Sequence, residues 1–172
     1  MFFQTTITLP ISRMKALISL IERVEIQAQE KWMTDADILG LRLAPDMLPF
    51  VKQIQIVSDN AKWMASRLAG KEIPKYEDTE STLWELRTRL QTTIAYLDTF
   101  VSTDFVNAAI AEARFPYFPG MHMVGADYVF GYGIPNFFFH VVTAYDILRQ
   151  HWFDIGKADY MGKEVPLIAD TQ

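Results

Sequence analysis

Met47, Phe50, Ile54, Val57, Ala61, Met64 and Leu68 recur at alternating steps of three and four with no gap. That spacing places them on one face of a helix, and a stripe so complete must be buried against a partner. Asp46 reads as the cap that opens this helix, and Gly70 followed by Pro74 as its end. Three further segments share the pattern. In the first, Ile7, Ile11, Met14, Ile18, Ile21 and Ala28 form a stripe interrupted by Glu25. Pro10 is expected in its first turn, where a missing N–H is harmless, with Thr6 or Thr8 as cap. Another runs from Asp78 or Thr79 through Leu83, Leu86, Leu90, Ile94, Leu97 and Val101, and Glu77, Asp78 and Glu80 suit its positive end. The last extends from Gly125 to Phe153, and Pro135 should kink it or divide it near residues 125–133 and 135–152.

Four such helices bury their stripes against one another, so the expected fold is all-α, a four-helix bundle over residues 1–172. The linkers are Trp32–Pro45, Lys71–Glu77 and Ser102–Val124, the last long for a bundle. It holds Phe115-Pro-Tyr-Phe-Pro-Gly-Met-His122, which suits an extended or hairpin segment over one end of the core. From about Asp154 onward a coil tail is expected.

Charge is unevenly spread. From Phe115 to Leu148 only Asp127 and Asp146 are ionised at neutral pH. The uncharged run from Tyr128 to Tyr145 is long enough to span a membrane. However, it carries Gly131, Gly133, Pro135, Asn136 and His140 and is flanked by acids, so it reads as the inner helix of the bundle. The opening MFFQTTITLP lacks the pattern of a signal peptide, and a cytoplasmic protein is expected. A net charge of −5 argues against a nucleic-acid partner. There is no cysteine, so thiol nucleophiles and Cys-ligated metals are excluded. Gly131-Tyr132-Gly133 lacks the third glycine of a dinucleotide loop, and no His-Glu-x-x-His occurs.

Two stretches carry a resemblance to a known family. One is LAPDMLPFVKQIQIVSDNAK, from Leu43 to Lys62, continuing to Arg67-Leu-Ala-Gly70. The other is PNFFFHVVTAYDILR, from Pro135 to Arg149, with Ile155-Gly-Lys157 after it. Together they resemble an uncharacterised bacterial family within the DinB/YfiT-like superfamily of metal-dependent four-helix bundles. The resemblance implies a bundle with a divalent metal, zinc or nickel, held by one histidine of the second helix and a His-x-x-x-His pair of the last. It also implies chemistry of the thiol-dependent transferase or isomerase type. Aligned on Trp63 and Leu68-Ala-Gly70, the first ligand position is Gln55; aligned on Ile147-Leu-Arg149, the pair is Asn136 and His140. Only one of the three is a good nitrogen donor, so the expected metal site is degenerate.

Two functional readings follow. In one, Gln55, Asn136 and His140, with Asp59 one turn beyond Gln55, line a polar pocket between the second and fourth helices that binds a small molecule. In the other, the chain is a non-enzymatic module acting as a homodimer. His140 is then a core histidine hydrogen-bonded to Gln55 and Asn136, and Asp59 is salt-bridged or solvated, with Lys62 or Trp63 as neighbour.

Overall fold

The computed structural model describes residues 1–162. Its first long helix begins at Phe2, earlier than the sequence suggests, with a wide π turn, Gln4–Thr8, leading directly into α1 (Leu9–Glu30). Neither Thr6 nor Thr8 is a cap: the Thr6 hydroxyl donates to Phe2 O, 2.8 Å away, and Thr8 caps nothing with its side chain. Pro10 therefore lies inside the helix. The preceding π turn, closed by Leu9 N–H donating to Gln4 O five residues back, moves the upstream carbonyls off the pyrrolidine ring.

The linker after α1 is not all coil. Thr34 and Asp37 form a reciprocal capping box that starts α2 (Asp35–Gly40). The gapless stripe is α3 (Phe50–Ala69), which starts after Pro49, so Asp46 is not its cap. Proline fits that boundary because it lacks the N–H a helix start leaves unpaired. Gly70 ends α3 in the left-handed conformation at φ 65°. The third stripe begins at neither Asp78 nor Thr79. Thr82 and Glu85 form a second capping box that opens α4 (Leu83–Leu97). Glu77, Asp78 and Glu80 are thereby left in the preceding loop.

The long linker forms two short 3-10 turns and a hairpin of β1 (Glu112–Arg114) and β2 (His122–Val124), with Arg114 opposite His122. The last bundle helix is not divided at Pro135. Residues run from α5 (Gly125–Asp127) through a second π turn, Tyr128–Gly133, into α6 (Ile134–Gln150). Ile134 N–H donates to Val129 O, five residues back, immediately before Pro135. Pro10 and Pro135 are thus accommodated by the same device. The coil expected from Asp154 contains α7 (Lys157–Met161), tied to α1 by Arg13 donating to the Tyr160 and Met161 carbonyls; residues 163–172 of that expected tail lie outside the described residues.

α1, α3, α4 and α6 form the bundle, with α3 packed against both α6 and α4 and α4 against α1. Their inward residues, among them Met14, Ile21, Ile54, Met64, Leu86, Leu90, Phe137 and Ile147, are fully buried. Among the described residues no helix is long and apolar enough to cross a membrane. The run from Tyr128 to Tyr145 instead supplies core on one side and a partly open face on the other.

Candidate functional site

α3 is the hub of the polar chemistry because different faces of it meet different neighbours. Gln53, Asn60 and Arg67 are spaced by seven residues, two helical turns, and so form a single row. Each meets one polar group from the segment that ends in α6. His140 Nδ1 lies 2.7 Å from Gln53 Oε1, Asn136 Nδ2 donates to Asn60 Oδ1 at 3.1 Å, and Arg67 Nη1 donates to the Tyr128 hydroxyl at 2.9 Å. The pairing order is reversed along the chain, as in two antiparallel helices.

Gln53 is oriented by a further contact, since its Nε2 donates to Leu48 O at 2.9 Å. Its Oε1 can only accept, so His140 carries its proton on Nδ1 and leaves the Nε2 lone pair free. Burial pulls the His140 pKa below the ordinary histidine value, which keeps the ring neutral.

Gln55 and Asp59, the other two residues singled out in the sequence, belong to a second cluster. Gln55 Nε2 donates to Glu80 Oε2 at 2.7 Å. Asp59 lies 2.8 Å from Lys62 Nζ and 3.0 Å from Arg89 Nη2. Arg89 also pairs with Glu80 at 2.9 Å and Asp78 at 3.1 Å, and Lys62 stands 3.9 Å over the Tyr76 ring. Burial lowers the Arg89 pKa, but these carboxylates outweigh it and hold the guanidinium above its ordinary value. The side chains of Arg89 and Lys62 are 3% and 4% exposed, so the charges are enclosed and mutually satisfied. This network anchors the α3–α4 loop. Lys62 was legible as a neighbour of Asp59; Arg89 was not, because its position in α4 gave no hint of the loop it would hold.

The structure therefore brings His140 to Gln53 and Asn136 to Asn60, while Gln55 and Asp59 turn to Glu80 and Arg89. The divalent metal that the resemblance implies does not fit these residues. The α6 seam offers one imidazole and neutral amides already engaged with one another, which compensate none of a cation's charge. Among the described residues no group of three or more His, Cys, Asp or Glu is placed to hold a metal ion.

A cavity does open at the far end of the same seam. One turn beyond Asn60 and Asn136 stand Trp63 and Tyr132, and the hairpin loop folds Phe115, Phe118 and Met121 across them. The recess encloses about 300 Å³ and has Arg67 and His122 among its lining residues. Ring edges meet ring faces around it: Phe115 with Tyr128 at 5.5 Å and with Tyr132 at 5.9 Å. Sequence reasoning flagged the aromatic hairpin and the long loop. It missed Arg67, whose place among the rings depends on how the loop closes.

A family model described as a domain of unknown function (DUF1993) matches residues 2–161. A crystal structure of a DinB family member protein from Shewanella denitrificans is 35% identical and covers 98% of this chain and 95% of its own, with a TM-score of 0.93. No curated protein matches the chain.

Proposed function

Because the chain belongs to the DUF1993 family, an uncharacterised DinB-like family, we propose that it is a bundle that binds a small molecule in the aromatic recess. The supporting observation is the closure of the hairpin over Trp63 and Tyr132, which leaves a concave, apolar-walled space with a few polar groups. Such a space is the usual form of a small-ligand site. The recess lies beyond the N-terminal end of α6, where Tyr132 of the π turn faces α3 eight residues before His140 in the chain. The hydrogen-bonded pairs at Gln53 and Asn60 then serve to fix α6, and with it the π turn, against α3.

The test is chemical-shift mapping with a panel of small aromatic fragments. Shifts should concentrate on the Trp63 indole, Tyr132 and the hairpin. Phe118→Ala should weaken binding by about tenfold, roughly 1.4 kcal/mol. Shifts scattered over the surface, or confined to Gln53 and His140, would sink the reading.

A second reading rests on a different face. Phe139 and Val142 are exposed on α6, as is Phe130 in the π turn before it. A second copy of this chain is the partner proposed to cover that row, giving a homodimer, and the mass in solution decides it.

A further inference from the structure

The arginines of this chain divide by what neutralises them. Arg23, Arg87, Arg89 and Arg114 each pair with at least one carboxylate. Arg13, Arg42 and Arg149 donate to backbone carbonyls. Arg67 does neither: among the described residues its one hydrogen bond is to the neutral Tyr128 hydroxyl, and its Nε is buried without a partner. Its guanidinium carbon lies 4.6 Å from the Phe115 ring centre, 5.3 Å from Trp63 and 5.5 Å from Tyr128. Aromatic faces hold a cation in place but do not cancel its charge. A cation in the last turn of a helix also serves the helix dipole, yet Arg67 makes no hydrogen bond to the α3 carbonyls.

Arg67 also lines the recess, whose walls carry no carboxylate among the described residues. We propose that the recess takes a small monocarboxylate with an apolar body, its carboxylate on Arg67 and its body among Trp63, Phe118 and Tyr132. This assignment rests on the recess being the binding site. One permanent cation matches one negative charge, whereas a phosphate carries nearer two at neutral pH, and among the described residues Arg67 is the one permanent cation of the lining. An Arg–carboxylate contact is planar and directional, which gives the acid one defined pose beside the rings.

The experiment uses the full chain and two pairs of probes: phenylacetate with phenylacetamide, and hexanoate with hexanamide. Inorganic phosphate is the third arm. Binding is read by the shifts of the Trp63 indole and the hairpin amides. At least one acid should bind at least tenfold more tightly than its amide, and more tightly than phosphate. Arg67→Met, which keeps an unbranched apolar stem, should bring acid and amide to the same affinity. Arg67→Lys should retain part of the preference, which guards against a misfolded methionine variant. Amides that bind as tightly as both acids would overturn the carboxylate assignment while the recess stands. Tighter binding of phosphate would overturn it as well. Failure of every probe to shift these signals would overturn the recess itself.

Discussion

Protonating His140 would put a second N–H on a ring whose Nδ1 is already committed to Gln53, in surroundings that disfavour charge. Its folded pKa lies below the ordinary value of 6.5 that it regains on unfolding. As the pH falls through that ordinary value, the unfolded chain takes up a proton before the folded one does. The stability it contributes is therefore fully present at higher pH and is lost as the pH drops below about 6.5. Urea midpoints measured from about pH 7.5 to about pH 5.5 should fall for the native chain. His140→Gln retains hydrogen bonding and cannot titrate, so it should flatten that dependence; an equal fall in both proteins would refute the assignment. The polarity of Asn136 and His140 was legible because each interrupts an aromatic helix. Their partners were not, because Gln55 occupied the resembling position while the row that meets α6 runs through residues 53, 60 and 67.

Helix α5 begins at a glycine that no other residue can replace without moving the backbone. A Cβ on Gly125 would stand 1.9 Å from Ala108 O, a main-chain atom of the 3-10 turn beneath it. On Gly133 the nearest obstacle is the Met64 side chain, 2.6 Å away at its sulfur, and methionine can swing aside. Gly125→Ala should therefore cost about 3 kcal/mol or more, and Gly133→Ala about 1 kcal/mol, in equilibrium unfolding. Equal losses would show that the turn beneath Gly125 yields as readily as a side chain. The four bundle helices themselves were plain from their stripes, since burial of one face is a strong constraint on spacing. Their starts were less plain. Runs of acids before α4 looked like its first turn, yet Glu77, Asp78 and Glu80 serve the loop, and Glu80 and Asp78 serve Arg89 in particular. The capping pair Thr82 and Glu85 supplies the actual boundary.

At the level of the whole molecule, the aromatic stretch has two fates: Tyr128 and Phe137 are fully buried, while Phe139 is 55% exposed. If a second copy covers the outer row, light scattering should give twice the chain mass of 19.8 kDa, and Phe139→Glu should return it to a single chain. A single-chain mass for the native protein at high micromolar concentration would exclude the dimer. The recess was beyond the reach of sequence because its walls come from α3, the hairpin and the second π turn, brought together only by the closed loop. That turn does more than make room for Pro135. Tyr128, Tyr132, Asn136 and His140 are four apart, and in a regular α-helix each such step rotates about 40° around the axis. Three steps would carry Tyr128 roughly 120° away from His140. A π turn has roughly 4.4 residues per revolution, so its first step rotates about 30° the other way and leaves a net drift of roughly 50° in place of 120°. One surplus residue thus winds Tyr128 back toward the row on α3, within reach of Arg67. Removing a single residue from 128–133 would preserve the helix and turn the phenol away from the guanidinium.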